Sequence, residues 1–247
     1  TVASGAALQL QGAITVGAEA LTLNGTGVAA DGALRNISGS NTFGGAITLG
    51  SAARINSDAN LLTLSGGITG AGQNLTVGGV GSTTESGAIA TTTGTLTKDG
   101  AGTLTLSGTN TYTGLTTVSA GSLVLAGGAA IADAGAVVLD TATADLTLNA
   151  SETIGSLAGI AGTTVQMGAN TLTTGGNGTS TTYAGVISGT GALTKEGAGT
   201  FTLSGANTYA GLTSINVGAL NVQHNTGLGS VTGGTTVASG AALQLQG

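Results

Sequence analysis

Charged and aromatic side chains are scarce in this chain, and proline and cysteine are missing altogether. Charged residues account for 6% of the 247 residues and aromatic residues for 2%, whereas soluble domains carry about 25% charged residues on average. So few aromatic side chains exclude a conventional core built on phenylalanine and tryptophan. The missing cysteines exclude disulfides and fit an extracellular protein that is stabilised by other means.

Basic residues are especially few, and this limits the partners that the chain can bind. Its net charge is −6. The basic residues are Arg35, Arg54, Lys98 and Lys195, too few for the stripe of positive charge that binds a phosphate backbone or an anionic lipid surface. No apolar run approaches the roughly 18 residues of a transmembrane helix. We therefore expect no nucleic acid as a partner and no membrane insertion of this segment.

Glycine and small aliphatic residues dominate what is present, and they follow a period of two. There are 48 glycines, and hydrophobic residues reach 40%, so the composition is not that of a disordered chain. Apolar residues alternate with Thr, Ser or Gln, which predicts short strands with one buried face. The clearest alternating pairs are Leu8/Leu10, Ile14/Val16, Leu21/Leu23, Leu75/Val77, Leu104/Leu106, Leu123/Leu125, Leu146/Leu148 and Leu243/Leu245.

Glycine and asparagine separate these short strands and predict sharp corners, because both tolerate a positive φ. Around a strand at 103–107 the expected corners are Gly100, Gly102, Gly108, Asn110 and Gly114. The equivalent corners further along the chain are Gly197, Gly199, Gly205, Asn207 and Gly211. The best helix candidate is 128–139, but its glycine and its β-branched residues favour a strand and a turn.

Two internal strings are nearly the same. Residues 96–118 read LTKDGAGTLTLSGTNTYTGLTTV and residues 193–215 read LTKEGAGTFTLSGANTYAGLTSI; they match at 17 of 23 positions with an offset of 97. A weaker third copy, GSNTFGGAIT, lies at 39–48 with Phe43 in the place of the tyrosine. Such self-similarity is the signature of a repeat architecture.

A second repetition joins the two ends of the sequence. The string TVASGAALQLQG occurs unchanged at 1–12 and at 236–247. This predicts a protein that repeats a unit of 235 residues, in which 1–235 is one unit and 236–247 begins the next. The alternative is an end duplicated by cloning.

Short strands, glycine corners and small inward residues predict an all-β fold, a β-solenoid in which each turn stacks on the next. We expect 1–247 to form one continuous solenoid. About two dozen strands at three per turn predict about eight turns, or roughly 40 Å of axis at the spacing of paired strands.

The strings at 96–125 and 187–213 closely resemble the autotransporter-associated β-strand repeat, which occurs in autotransporter passengers and giant bacterial surface proteins. The resemblance is strong over 87–127 and 183–222. It implies a right-handed parallel β-helix that is secreted or exposed at the bacterial cell surface. It also implies no catalytic residues, so no enzymatic activity, cofactor or catalytic, cofactor-binding or metal site is expected.

Several residues are nevertheless candidates for chemistry. His224, the only histidine, has no partner of a catalytic or zinc site nearby in the sequence and is expected at a turn. The acidic group of Asp133, Asp140, Asp145 and Glu152 is expected to be a solvated face; the alternatives are a calcium site or the carboxylate pair of a glycosidase.

The repeated strings contribute further candidates. Tyr112 and Tyr209 are expected to cover the backbone near a corner, with sugar stacking as the alternative. Lys98 and Lys195 each precede an acid and point to the opposite side of the strand, so each lysine is expected to meet an acid on a neighbouring turn. Thr-x-Thr triplets suggest ice binding only as a minor alternative, because they do not recur once per turn.

Three functions follow from these predictions. The first is a structural one, the shaft of a bacterial extracellular fibre or surface filament in which neighbouring copies of the repeat stack end to end, with lateral rod contacts possible. The second is an adhesin passenger that binds host cells, other cells or surfaces. The third, a polysaccharide-degrading solenoid, needs a charged cleft for which the sequence offers few residues.

Overall fold

The predicted β-solenoid is confirmed by the computed structural model, which describes residues 1–246. All strand pairs between named elements are parallel, and the described residues contain no α-helix, only a 3-10 turn at Val28–Ala30. Parallel neighbours separated by one turn of chain are what a solenoid requires.

The strands are short, as the alternation predicted, and most have three to five residues. In chain order they are β1 Leu8–Gln11, β2 Thr15–Val16, β3 Leu21–Gly25, β4 Leu34–Ser38, β5 Asn41–Phe43, β6 Ile47–Ser57, β7 Leu61–Leu64, β8 Ile68–Thr69, β9 Leu75–Gly78, β10 Ser82–Glu85, β11 Ile89–Ala90, β12 Leu96–Lys98, β13 Thr103–Leu106, β14 Thr116–Val118, β15 Gly121–Leu125, β16 Ala136–Leu139, β17 Ala144–Leu148, β18 Glu152–Ile154, β19 Ser156–Gly159, β20 Thr164–Gln166, β21 Leu172–Thr174, β22 Thr181–Tyr183, β23 Val186–Ser188, β24 Leu193–Lys195, β25 Thr200–Leu203, β26 Thr213–Ile215, β27 Ala219–Val222, β28 Thr235–Val237 and β29 Ala242–Leu245. The expected strand and turn within 128–139 is present as β16 and the bend before it.

The strands stack along three sides of the solenoid. The first side follows the path β1-β4-β6-β9-β12-β14-β16-β19-β22-β25-β27-β29, and the second follows β2-β5-β7-β10-β13-β15-β17-β20-β23. The third side consists of β3, the start of β6, β8 and β11 near the N-terminus and of β18-β21-β24-β26-β28 near the C-terminus. Side-chain and backbone hydrogen bonds around 110–112 and 129–131 join these two parts.

Each turn takes about the same length of chain. Leu96 pairs with Leu75 on one side and with Thr116 on the other, which are 21 and 20 residues away. The path on the first side contains twelve strands, so the solenoid has more turns than the eight expected from sequence. The estimate was low because there are 29 strands and several turns, such as that of β12 and β13, contain only two.

The core is a set of aliphatic ladders that run along the axis. On the second side Leu104 pairs with Leu123, Leu123 with Leu146 and Leu146 with Val165, and all four are at most 1% exposed. Burying a leucine side chain contributes about 1.5–3 kcal/mol. Because each rung is covered only by the turns above and below it, stability comes from stacking neighbours.

The predicted glycine corners have two different physical reasons. Gly100 has the expected positive φ, +71°, as does its counterpart Gly197. Gly108 instead has an ordinary φ, but a Cβ there would lie 2.0 Å from the carbonyl oxygen of Gly87 in the turn below. Glycine is needed at Gly108 because successive corners stack backbone on backbone.

Candidate functional site

The polar and aromatic residues that the two repeated strings share lie inside the solenoid. Lys98, Asn110 and Tyr112 are at most 3% exposed. Their counterparts Lys195, Asn207 and Tyr209 are at most 2% exposed. The repeated motif therefore presents its most distinctive side chains to the core and not to a ligand.

The buried lysine joins the corner of its own turn to the corner of the next. The Nζ of Lys98 donates to the carbonyl oxygens of Asp99 and Gly100, both at 2.7 Å, and of Ala120 at 3.0 Å. Ala120 is 22 residues further on, in the next turn. Burial lowers the pKa of Lys98 to about 8, while the charge of the adjacent Asp99 opposes that shift.

Lys195 repeats this arrangement. Its Nζ donates to the carbonyl oxygens of Glu196 at 2.6 Å, Gly197 at 2.7 Å and Val217 at 3.2 Å. The expectation that each lysine meets an acid on a neighbouring turn is wrong. The three carbonyl oxygens satisfy the three donors of the ammonium group, so no acid is needed.

The buried asparagine replaces a missing rung of backbone hydrogen bonds. The Oδ1 of Asn110 accepts from the N–H of Ile89 at 2.7 Å, and its Nδ2 donates to the carbonyl oxygen of Ala130 at 2.7 Å. Asn207 does the same between Ile187 and Gly227, at 2.8 and 2.7 Å. The carboxamide has the same donor and acceptor as a peptide group, so it continues the ladder where the strand is interrupted.

The predicted role of these asparagines as corners with positive φ is wrong, since neither has a positive φ. The third, weaker copy keeps only the link to the preceding turn, and its donor stays within its own turn. The Oδ1 of Asn41 accepts from the N–H of Ile14 at 2.7 Å, and its Nδ2 donates to the carbonyl oxygen of Ser38 at 2.9 Å. The asparagine of the NT(Y/F) triplet thus joins consecutive turns.

The repeated tyrosine fills the core and pairs with a buried threonine. The hydroxyl of Tyr112 lies 2.8 Å from Thr116 Oγ1, and that of Tyr209 lies 2.7 Å from Thr213 Oγ1. Both rings are fully buried, and burial raises the pKa of both hydroxyls. A structural role is in agreement with these contacts, whereas sugar stacking requires an accessible ring.

The two copies of the repeat sit on different sides of the solenoid. In the first copy β12 and β14 belong to the first side and β13 and β15 to the second. In the second copy the equivalent β24 and β26 belong to the third side, and β25 and β27 to the first. The second copy therefore has the same internal contacts as the first but is rotated about the solenoid axis by one side. As a result, the outward residues of the two copies do not form a common surface.

Both arginines take part in one network with acidic residues. Arg35 bridges Asp31 at 2.9 Å and Asp58 at 2.7 Å, and Arg54 makes two hydrogen bonds to Asp99, at 2.6 and 2.8 Å. With both lysines buried, all four basic residues are held by internal partners. This makes the remaining surface acidic and neutral.

The acidic group expected as a solvated face is divided between core and surface. Glu152 is 3% exposed, and its Oε1 accepts from the N–H of Ile131 at 2.8 Å; burial raises its pKa. Asp140 accepts from Ser119 Oγ at 3.1 Å, and Asp145 accepts from Thr164 Oγ1. Within residues 1–246 no three histidine or acidic side chains are grouped as a metal ion would require.

His224 lies at a turn, as expected, near the C-terminal end of the solenoid. Its Nδ1 accepts from the N–H of Thr226 at 3.1 Å, and the imidazole is exposed. It lines a shallow groove together with Leu228 and Leu245. The Nδ1 also lies 3.1 Å from Thr226 Oγ1, and no acidic side chain contacts the ring among the hydrogen bonds of the described residues.

Threonines do recur once per turn, although the Thr-x-Thr triplets do not. On the second side Thr42, Thr63, Thr84 and Thr105 stand in direct register, and each is half-buried. Single outward threonines form columns because the strands stack in register, while the first threonine of a triplet is replaced in the neighbouring turns, as Thr103 is by Ser122.

Two buried polar residues had no signal in the sequence. Strand β10 places Thr83 and Glu85 in the core, where Glu85 stands between Leu64 and Leu106. Glu85 is 2% exposed, and neither of its oxygens makes a hydrogen bond of normal geometry. Burial raises the pKa of Glu85 to about 8, and the nearby amide of Gly87 opposes the shift only in part.

The family model of the passenger-associated-transport-repeat matches residues 96–125 and 193–222. Each match covers four strands, β12–β15 and β24–β27. The two segments are copies of this repeat, as the resemblance to the autotransporter-associated family indicated, and together they cover 60 of the 247 residues. No curated protein and no solved structure matches the chain.

The repeat and the solenoid fold together support an autotransporter passenger repeat. In general terms such a repeat implies secretion or surface display, and it suggests a structural role. Among the described residues no helix is both long and apolar enough to cross a membrane.

The bridging asparagine leads to a first prediction. Asn110→Asp keeps the shape and the acceptor but loses the donor to Ala130, so a buried carbonyl oxygen faces a carboxylate. We expect the free energy of unfolding to fall by about 1–3 kcal/mol, as measured by urea denaturation. Asn207→Asp should give a similar loss because its contacts are the same.

Exposed Asn225 provides the matched control. Asn225→Asp makes the same chemical change on the surface and should alter the free energy of unfolding by no more than about 0.5 kcal/mol. If Asn110→Asp were as mild as this control, the asparagine would not carry the turn-to-turn connection described above.

The buried Glu85 leads to a second prediction. Its pKa in the folded state, about 8, lies above its ordinary value of 4.5, so the folded protein holds a proton that the unfolded chain releases between these pH values. The contribution of protonated Glu85 to the free energy of unfolding is complete below about pH 4.5 and is lost as the pH rises through 8. Glu85→Leu should raise the free energy of unfolding at pH 7 and remove a slope approaching about 1.4 kcal/mol per pH unit.

The measurement is a series of urea denaturation curves between pH 5 and pH 8 for both proteins. Glu19→Gln removes an exposed carboxyl group and should leave the slope in place. An unchanged slope in Glu85→Leu would show that Glu85 is ionised in the folded protein and that another group causes the pH dependence.

Proposed function

We propose that this chain is part of the shaft of a bacterial extracellular fibre or surface filament. The shaft is made of 235-residue β-solenoid units that stack end to end, and 236–247 begins the next unit. Its role is mechanical: it sets length and stiffness and has no enzymatic activity.

The observation that carries this proposal is where the chain places its binding-prone residues. All five aromatic side chains, Phe43, Tyr112, Tyr183, Phe201 and Tyr209, are at most 2% exposed. Tyrosine, tryptophan and arginine supply most of the binding energy of protein interfaces. Here the tyrosines are in the core and the arginines form ion pairs with aspartates, so these residues stabilise the fold and are not presented to a partner.

The rotation of the repeat supports the same role. A ligand-binding repeat gains from presenting equivalent residues along one face, where several copies bind together. Leu115 and Leu212 are equivalent and similarly exposed, at 39% and 41%, but the strands that follow them, β14 and β26, belong to different sides. The contacts that both copies share include lysine and asparagine hydrogen bonds between consecutive turns, which is what a shaft requires.

Electron microscopy of the native assembly tests the proposal. The path from β1 to β29 takes eleven steps, so one unit should advance the axis by about 53 Å at the roughly 4.8 Å spacing of paired strands. We expect thin, unbranched rods. Because the chain has no cysteine, Val80→Cys, at a site that is 76% exposed, can carry one gold label per unit and reveal that spacing.

Two outcomes would contradict the proposal. Isolated compact particles would show that the units do not form a shaft. Short rods with a compact head that binds cells would place adhesion first, with this segment as a spacer of fixed length.

A further inference from the structure

The two copies of the twelve-residue string occupy equivalent positions on the solenoid. In the first copy Val2 bridges Leu23 on the third side, and β1 opens the path of the first side. In the second copy Val237 pairs with Ile215 on the third side, and β29 closes the path of the first side. Each copy thus begins on the third side and ends on the first.

It follows that 235 residues correspond to a whole number of turns. Leu8 and Leu243, which are equivalent, lie at the two ends of the twelve-strand path. A unit that ended between two sides would present its successor with a rotated face. This unit returns its end to the side on which it began, so the next turn can stack without rotation.

The two copies differ sharply in burial, although their sequences are the same. Leu10 is 2% exposed and its equivalent Leu245 is 71% exposed; Val2 is 9% exposed and its equivalent Val237 is 46% exposed. The apolar surface of this string is therefore covered by the next turn in the first copy and exposed to solvent in the second.

The first copy also shows what covers it. The N–H of Val2 donates to the carbonyl oxygen of Thr22 at 2.8 Å, and that of Leu8 donates to Ala33 at 2.8 Å. β1 pairs with β4 in the register Leu8 to Leu34 and Leu10 to Asn36. The cover is a single turn of chain, residues 21–38.

We propose that the open end formed by residues 236–246 is completed by residues 21–38 of a second copy of this unit. The register is the one that the first copy shows, with Leu243 against Leu34 and Leu245 against Asn36 of the following copy. The joint then contains no cap, and the solenoid passes from unit to unit as one continuous stack. This inference rests on the proposed shaft and specifies how its units join.

Cysteine accessibility tests the joint directly, because the chain has no native cysteine. Leu245→Cys is compared in two proteins: the 247-residue chain, and the same chain followed by a second copy of residues 13–247. We expect the thiol to react rapidly with a maleimide in the short protein. In the long protein the reaction should be slower by on the order of a hundredfold, since a buried thiol reacts only when the structure opens locally.

Two matched controls accompany the test. Gln244→Cys lies beside Leu245 but on the outer face, and it should react at similar rates in both proteins. Leu10→Cys occupies the equivalent buried site; it should be protected in both, which establishes that the first unit is folded.

The proposal is overturned if Leu245→Cys reacts equally fast in the two proteins while Leu10→Cys stays protected. It is also overturned if Leu245→Cys and Gln244→Cys become protected together, because a joint in this register leaves Gln244 outside. A protected Leu245→Cys without fibres in the native assembly would retain this joint and reject the proposed function.

Discussion

Every other feature of this molecule depends on the stacking of one turn of backbone on the next. The strands are too short to be stable as isolated hairpins or sheets, and their aliphatic side chains are buried only when another turn lies above and below. The close approach explains why glycine occurs at corners such as Gly108, where the obstacle is the backbone of the turn below. It also explains why the side chains that the repeat retains, such as Lys98 and Asn110, act between consecutive turns.

Some interior polar groups complete the stack, whereas Glu85 weakens it. A corner or an interrupted strand leaves buried carbonyl and amide groups, and each unpaired one costs about 1–3 kcal/mol. Lys195 and Asn207 meet this need with three and two hydrogen bonds. Glu85 has the opposite effect: it stands in an aliphatic ladder without a hydrogen bond of normal geometry, so it is accommodated mainly as a neutral acid.

The sequence predicted the fold because its main signals are local, while the internal contacts depend on register. Alternation of leucine and threonine indicates a half-buried strand wherever it occurs, so strands such as Thr103–Leu106 were found. The same alternation places Lys98 on the inner side with Leu96, but the positive charge of lysine suggested an ion pair with an acid on a neighbouring turn. Glu85 lies in a strand with no apolar residue, so nothing marked its inner face. Asn110 requires knowledge of the turns before and after it, which only the stacked structure supplies.

Two lengths in the sequence impose different geometrical constraints. The offset of 97 residues between the two repeats is one side less than five full turns. The path from β12 to β25 takes five turns on the first side, and β24, the equivalent of β12, lies one side before β25. The repeat tolerates this rotation because its contacts run along the axis and are the same on every side. The offset of 235 behaves differently, since it returns the string of 1–12 to its original side. A strand inside the solenoid needs only a neighbour above and below, whereas the end of a unit must match the face of its successor. The physical constraint on length therefore acts on the whole unit and leaves the internal repeats free to rotate.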